Sequence, residues 1–180
     1  MLGIAKTLGE EDARAEALSG IAAHLTGEQI GEALAAAKAI GNQYARASML
    51  SDLAAHVTGE QIAEALTAAK AIGSEDARAQ ALSGIAAHLP GEQIAEALAA
   101  AKAIGDKHAR ARALSGLAAY LRREQRDEAL AALLEIGSEL TRPELLRLLL
   151  PFIRILAEIG GEPALQALRK AIHDAATCYP

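Results

Sequence analysis

The chain of 180 residues has a formal charge of −5, and 52% of its residues are apolar while only 2% are aromatic. A negative balance of interspersed charges lacks the basic surface that binding to nucleic acid or to an anionic membrane requires. Apolar content made mostly of Ala and Leu favours closely packed helices over a sandwich of sheets.

A short motif, Ala-Lys-Ala-Ile-Gly, recurs along the chain at intervals of 32 residues. Full copies lie at Ala37–Gly41, Ala69–Gly73 and Ala101–Gly105, with a truncated copy at Ala5–Gly9 and a weaker one at Leu133–Gly137. A fixed period between about 20 and 50 residues is typical of solenoids, in which each unit buries its apolar face against its neighbours. The period therefore predicts an all-α, right-handed α-solenoid of 32-residue helix-turn-helix repeats.

The predicted elements follow this period in chain order. Residues 1–9 match only the second half of a second helix, so the series opens on a partial repeat. The first and third full units are identical at 28 of 32 positions, which either recent duplication or an engineered consensus array produces. The four helix-pair repeats are 10–41, 42–73, 74–105 and 106–137, and residues 138–180 form a two-helix C-terminal cap.

Each unit is predicted to contain a helix A followed by a helix B. In the third unit, helix A runs from about Glu75 to Leu89 and helix B from about Glu92 to Ile104, because apolar residues recur there at helical spacing. The predicted buried residues are Ala81, Leu82, Ile85, Ala86 and Leu89 on helix A, and Ile94, Ala97, Leu98, Ala101 and Ile104 on helix B.

Local residues predict where these helices begin and end. We expect the recurrent glycine to end each helix B in the left-handed backbone region, and the polar residue after it to cap the next helix. Thr26–Gln29 and Thr58–Gln61 have the spacing of a capping box, and Pro90 and Arg122 replace its threonine in the last two units. The glycines are Gly41, Gly73, Gly105 and Gly137, and the caps are Asn42, Ser74, Asp106 and Ser138.

The C-terminal segment departs from the period. Thr141–Glu144 is a capping box with a proline near the helix start, which predicts a long helix to about Ile159 with a kink near Pro151. A last helix is expected from about Pro163 to Thr177. Together these two helices are predicted to cap the array.

The N-terminal end is predicted to be open. Natural solenoids cover their terminal apolar face with a polar capping repeat, and residues 1–9 provide none. We expect that the array either continues upstream or meets another protein at this end. Ile4 and Leu8 are the candidate self-association face, through which a homo-oligomer could form.

The run from Glu64 to Ser83, Glu-Ala-Leu-Thr-Ala-Ala-Lys-Ala-Ile-Gly-Ser-Glu-Asp-Ala-Arg-Ala-Gln-Ala-Leu-Ser, resembles the short HEAT-like (armadillo-type) repeats of large bacterial signalling proteins. The resemblance covers residues 1–137, and the segment from Leu156 to Leu168 is similar to the end of such arrays. In that family the arrays often follow an NACHT-like or NB-ARC-like ATPase or a caspase-like domain, and they bind or sense a ligand. The resemblance therefore implies a non-catalytic protein-interaction or ligand-sensing scaffold, the C-terminal module of a larger signalling protein.

Two alternative functions remain open from the sequence. The first is a self-assembling structural array that stacks through its uncapped N-terminal face. The second is a nucleic-acid-binding solenoid, since Leu25–Ile30 and Ile159–Leu165 resemble TAL-effector repeats. The period differs from that family, and a negative net charge is unsuited to displacing the counterions of phosphates. Nucleic acid is therefore not expected as a partner.

Several polar residues recur once per unit. Equivalent histidines in a stack lie about 9–10 Å apart, too far to share one zinc ion with bonds of about 2 Å, so a structural role is expected for them. The arginines and glutamates are expected to satisfy helix ends and neighbouring units, with ligand contact as the alternative. The columns are His24, His56, His88; Arg14, Arg46, Arg78, Arg110; Glu28, Glu60, Glu92, Glu124; and Glu32, Glu64, Glu96, Glu128.

Variation between units gives the candidate interaction surface. In a repeat scaffold the framework positions are kept while the contact surface drifts, and positions three and seven of the unit vary in chemistry. Both positions fall on helix A, where we expect a ligand to bind. The candidate residues are Asp12, Tyr44, Asp76 and His108 at position three, and Glu16, Ser48, Gln80 and Arg112 at position seven.

Catalysis and cofactor binding have no support in the sequence. Ser19 and Ser83 lie within predicted helices, no phosphate-binding or dinucleotide motif occurs, and no cluster has metal-ligand spacing. We therefore expect no enzyme activity, no cofactor and no metal. The single cysteine, Cys178, cannot form an internal disulfide, and no signal peptide precedes the first repeat, so a cytoplasmic protein without membrane contact is expected.

Overall fold

The computed structural model describes residues 2–57, 59–137, 141, 143–153 and 166, and all regular structure over these residues is helical. The predicted all-α class is confirmed for this part of the chain. Short 3₁₀ turns end three of the helices, at Ala22–His24, Ala86–His88 and Ala118–Tyr120. The α-helices are α1 (Leu2–Lys6), α2 (Glu11–Ile21), α3 (Gly27–Lys38), α4 (Gln43–Ala54), α5 (Glu60–Lys70), α6 (Glu75–Ile85), α7 (Gly91–Lys102), α8 (Lys107–Leu117), α9 (Arg123–Glu135) and α10 over 143–153.

The helices pack in two rows, which we call the A row (α2, α4, α6, α8) and the B row (α1, α3, α5, α7, α9). Each A helix contacts the next A helix, and each B helix contacts the next B helix. The two rows enclose one continuous apolar core. All ten predicted core residues of the third unit are buried in it, because they lie on the faces that the two helices turn toward each other.

Side-chain caps begin α4, α6 and α8 as the sequence predicts. The Asn42 side chain accepts hydrogen bonds from the backbone N–H groups of Tyr44 and Ala45, at 3.1 and 3.2 Å. Ser74 accepts one from Ala77, and Asp106 accepts one from Ala109 at 2.8 Å. These contacts satisfy backbone donors that have no partner within the first helical turn. The predicted cap Ser138 lies outside the described residues.

The predicted left-handed conformation of the recurrent glycines is wrong. Among the described residues only Gly59 has a positive φ, of 56°. A methyl group on Gly41 would instead lie 3.0 Å from the Glu11 carboxylate, and one on Gly105 would lie 3.1 Å from that of Glu75. At Gly41, Gly73 and Gly105 a side chain of the preceding A helix thus approaches the backbone closely, whereas Gly137 lies beside Leu145 of α10.

These approaching side chains join consecutive A helices. Glu11 accepts a hydrogen bond from the Asn42 N–H at 2.7 Å, and Glu75 accepts from the N–H groups of Gly105 and Asp106 at 2.8 and 2.6 Å. Hydrogen bonds from the backbone N–H groups of Gly41 and then Asn42 are the main cause that lowers the pKa of Glu11 from the ordinary value of 4.5, and those of Gly105 and Asp106 lower the pKa of Glu75 in the same way.

We expect Glu75→Gln to make stability less dependent on pH in acid. A carboxyl group with a lowered pKa stabilises the fold above the pKa of its unfolded state, near 4.5, and loses that contribution as the pH falls through its lower folded value. Gln43 is the natural precedent, since its side-chain oxygen accepts from the Ser74 N–H without a charge. Urea unfolding at several pH values from neutral to acid measures the effect. An equal loss of stability below pH 4.5 in wild type and variant would contradict it.

The arginine column binds the end of the preceding B helix. Arg14 donates to the Leu8 carbonyl at 2.9 Å, and Arg46 donates through Nε to the Ile40 carbonyl at 2.8 Å. Arg78 donates to the carbonyl of Ile72 in the same way, whereas Arg110 has no such bond within the described residues. A guanidinium group at a helix C-terminus satisfies free carbonyls and the negative end of the dipole.

A ladder of ion pairs connects the B helices. Lys6 Nζ lies 2.9 Å from Glu32 Oε2, and the same pair recurs between each described B helix and the next. Each pair is partly exposed and contributes little to stability by itself. The structure thus shows that the column Glu32, Glu64, Glu96 and Glu128 forms ion pairs between consecutive B helices. The three remaining pairs are Lys38–Glu64, Lys70–Glu96 and Lys102–Glu128.

We expect Pro90→Thr to stabilise the protein by about 0.5–2 kcal/mol, the range measured for helix caps. In the first unit Gln29 accepts a hydrogen bond from the Thr26 N–H at 3.0 Å. Pro90 has no N–H, and the side-chain oxygen of Gln93 is buried without a partner among the described residues. The reverse change, Thr26→Pro, is the matched control and should destabilise. Thermal unfolding of both variants measures the two changes in stability. If both changes had the same sign, the capping role given to this position would be contradicted.

The first unit exposes an apolar face that the later units bury. Gly20 has no atom near the place of a side chain, whereas a methyl group on the equivalent Gly84 would lie 2.5 Å from Ser51 Cβ. Ile4 is 73% exposed on the same end of the array. The face comprises Ile4, Leu8, Ala13, Ala17, Gly20, Ile21 and Leu25, all exposed or half-buried. We call it the N-terminal face.

At the other end, α10 covers the last A helix. The hydroxyl of Ser115 in α8 donates to the backbone carbonyl of Leu148 at 2.9 Å. Pro151 lies within α10, while the predicted last helix from about Pro163 to Thr177 lies almost wholly outside the described residues. No helix in the described ranges is long and apolar enough to cross a membrane.

Candidate functional site

The eight residues of the predicted interaction surface lie on the outer side of the A row. Seven of them are exposed, and Asp76 is half-buried. Positions three and seven lie one turn apart on the same helix, so their side chains share one face. The structure therefore places all eight on one surface, but it divides them into an open and a closed part.

The open part is a groove of about 410 Å³ between α2 and α4. Four of the eight predicted residues line it, two from each helix. The other polar residues of the lining are not among those predicted from the sequence to bind a ligand. The groove is lined by Asp12, Ala15, Glu16, Ser19, Asn42, Tyr44, Ala45, Ser48 and Asp52. We call it the α2/α4 groove.

A single departure from the repeat accounts for the position of the groove. Gly84 in α6 and Gly116 in α8 each approach a serine of the preceding A helix, Ser51 and Ser83, so closely that no methyl group fits. The equivalent residue of α4 is Asp52, which lines the groove with Ser19. Because Asp52 carries a side chain where the other helices have none, α4 cannot approach α2 in the same way. The break in the glycine pattern is the sequence signal for this site.

The charges in the groove are negative. Asp12 accepts a hydrogen bond from the Asn42 side-chain amide at 2.7 Å. Glu16 and Asp52 have no hydrogen bond or ion pair with any described residue, and no Lys, Arg or His lines the groove. Carboxylates grouped without a counter-charge create a potential that attracts cations.

Tyr44 is the one aromatic residue among those that line the groove. Its side chain is 54% exposed, which is high for a large side chain of the A row. An exposed tyrosine presents a ring face that can stack on a planar or cationic group, and a hydroxyl that can donate or accept. The lining thus combines negative charge with an aromatic surface.

The closed part of the surface lies between α6, α8 and α10. Arg112 Nη1 donates to Asp76 Oδ1 at 2.8 Å, which joins α6 to α8. His108 Nδ1 lies 3.9 Å from Glu144 in α10. Hydrogen bonds from Thr141 are the main cause that lowers the pKa of Glu144, and His108 adds a smaller effect. His108, Arg112 and Asp76 thus make contacts between helices, while Gln80 is exposed.

The histidine column lies apart from the groove. His24, His56 and His88 are exposed near the ends of the A helices, where the chain turns toward the B helix of the same unit. Within the described ranges no three His, Cys, Asp or Glu residues are arranged to hold a metal ion. The structural role expected for these residues at a helix C-terminus stays a prediction from the sequence.

Comparisons with known proteins identify no relative of the chain. No family model matches it, and neither the curated proteins nor the solved structures contain a match. The resemblance to HEAT-like repeats therefore stays a prediction from the sequence.

Proposed function

We propose that the chain is a non-catalytic binding scaffold, a right-handed α-solenoid of 32-residue helix pairs that holds its ligand on the A row. The observation that carries this proposal is the α2/α4 groove, because four of the eight residues that vary at positions three and seven line it. A site on the varying positions of a regular array is the arrangement by which repeat scaffolds recognise partners.

The division between framework and groove supports the proposal. Side chains that recur in the units, such as Lys38, Glu64 and Arg46, are used in contacts between helices. In the groove, by contrast, the carboxylates of Glu16 and Asp52 and the ring of Tyr44 remain accessible. Concave sites with a few converging polar groups are the usual places for ligands.

The resemblance to HEAT-like arrays supports the class of function. It agrees with a cytoplasmic, bacterial protein-interaction or sensor module, which we propose together with the scaffold. The groove holds the serines Ser19 and Ser48, but within the described residues neither is hydrogen-bonded to a carboxylate or histidine that would activate it as a nucleophile. Binding alone is the function that its side chains favour.

Selection from a displayed library of random peptides tests the scaffold proposal. We expect the full chain to enrich peptides whose binding is lost in Tyr44→Ala. The matched control is Tyr120→Ala, since Tyr120 is also exposed, at 46%, but lies in the fourth unit outside the groove. Failure to enrich any peptide, or equal loss in both variants, would overturn the proposal.

The N-terminal face supports a second candidate function, stacking on another repeat unit. The positions of Ala17, Ile21 and Leu25 hold buried apolar residues in units two to four. Light scattering with size exclusion tests this candidate through Ile4→Glu, with Leu134→Glu as control because Leu134 is also exposed, at 55%. An oligomer that only Ile4→Glu dissociates would support stacking, and a monomeric wild type would exclude stacking between copies.

A further inference from the structure

We propose that the α2/α4 groove binds an arginine side chain of a partner protein. This inference rests on the proposed scaffold function and names the chemistry of its ligand. The guanidinium group would lie among the carboxylates of Asp12, Glu16 and Asp52, and the side chain would pack on the ring of Tyr44. At an equivalent joint in the same chain, Arg112 occupies the corresponding place.

The equivalent joint lies between α6 and α8. There Asp76, at position three, accepts a hydrogen bond from Arg112, at position seven of the next unit, at 2.8 Å. Both side chains are partly exposed on the outer side of the A row. The fold therefore already contains one guanidinium group bound between neighbouring A helices by a carboxylate at position three.

The α2/α4 joint has the acid of this pair without the base. Asp12 occupies position three, like Asp76, but Ser48 occupies the position of Arg112. Serine is too short and uncharged to replace the guanidinium group, so the place of that group opens into the groove. Charge complementarity thus calls for a cation supplied from outside the chain.

Further features of the groove strengthen the negative charge beyond that of the α6/α8 joint. Glu16 and Asp52 add two carboxylates without partners among the described residues, where the α6/α8 joint has Gln80 and Gly116. The guanidinium group is planar and holds five donors, so it binds carboxylates in pairs and stacks on aromatic rings. An ammonium group offers neither the fork nor the flat face, which favours arginine over lysine.

Nuclear magnetic resonance with a minimal probe tests this proposal. The full chain, labelled with nitrogen-15, is titrated with N-acetylarginine amide, and in parallel with the citrulline analogue, which has nearly the same shape but no charge. We expect saturable shifts of backbone amides around Ser48 and Asp52 with the arginine probe. Affinity for the citrulline probe should be at least about tenfold lower, and added salt should weaken binding of the arginine probe.

Variants at one position separate charge from size. Ser48→Arg should place a guanidinium group of the chain itself in the groove, as Arg112 does between α6 and α8, and should abolish the shifts. Ser48→Gln adds length without charge and should weaken binding much less than Ser48→Arg does. Glu92→Gln removes a negative charge from an exposed position of the B row and should have no effect. Circular dichroism checks that each variant is folded.

Three results would overturn the proposal. They are equal affinity for the arginine and citrulline probes, unchanged binding in Ser48→Arg, and a lysine probe that binds as tightly as the arginine probe. If the displayed peptides still depend on Tyr44 while the arginine probe fails, the scaffold proposal stands and the assignment of arginine falls. If the displayed peptides fail as well, both fall.

Discussion

Replacing Gly84 by alanine is expected to destabilise the protein by about 1–3 kcal/mol, and the same change at Gly20 is expected to stabilise it by about 0.5–1 kcal/mol. The two glycines occupy the same position of the repeat and have identical neighbours from Ala17 to His24 and from Ala81 to His88. Differences in local helix propensity therefore cancel. The surroundings of the added methyl group are then the only difference between the two substitutions.

The opposite signs follow from the contacts of each glycine. A methyl group on Gly84 would lie 2.5 Å from Ser51 Cβ, so α4 and α6 have to separate to admit it. Gly20 faces open space, where alanine gains the helix propensity that glycine lacks and meets nothing. Overpacking at the first site outweighs the gain in propensity, and the second site keeps the gain alone.

Urea unfolding followed by circular dichroism measures both changes. A second variant tests the cause, because Ser51→Gly removes the atoms that the new methyl group would meet. Combined with Gly84→Ala, it should recover part of the lost stability, as neighbouring residues are not additive. Stabilisation by alanine at both glycines would show that the A helices do not approach as closely as the structure indicates.

The second large effect is expected from Ile85→Ala, which should cost about 2–5 kcal/mol because it removes a fully buried side chain and leaves a cavity. Ile21→Ala should cost clearly less. Ile21 is the same residue in the same local sequence, but it is half-buried at the N-terminal face. The difference between the two costs measures what a preceding unit contributes at this position.

Protein concentration provides the control for this comparison. In a monomer, the cost of Ile21→Ala is independent of concentration. If the N-terminal face stacks on a second copy, Ile21 is buried in the complex, and its cost rises with concentration as the partner binds the folded state. Equal costs for Ile21→Ala and Ile85→Ala at the lowest measurable concentration would contradict the open face.

Much of the helical structure could be predicted from the sequence because its causes are local. In the third unit the predicted helix A, from about Glu75, matches α6 and its 3₁₀ turn, and the predicted helix B matches α7 within two residues at either end. Caps such as Asn42 act within one turn of chain. Apolar spacing within one unit is sufficient to identify the buried face.

The incorrect prediction concerned an effect between units. The glycine after each helix B fits a common local rule, but its cause is a side chain about 30 residues away, such as Glu11 beside Gly41. The sequence likewise gives no distance between A helices, so the replacement of the repeated glycine by Asp52 does not by itself predict a groove. Only the packing of Gly84 and Gly116 on serines shows why a side chain at this position opens a groove.

Because the groove lies where Asp52 meets Ser19, its presence and position depend on which units are neighbours in the chain. Deleting residues 42–73 would remove α4 and place α6 beside α2, with Gly84 against Ser19. The array would then be one unit shorter and would lack the α2/α4 groove. Duplicating the same residues would instead produce a second aspartate at a joint, facing Ser51. Recombination between near-identical repeats can thus delete, copy or move a recognition site without altering any single residue. A lineage of such arrays could change its partners by rearranging units alone.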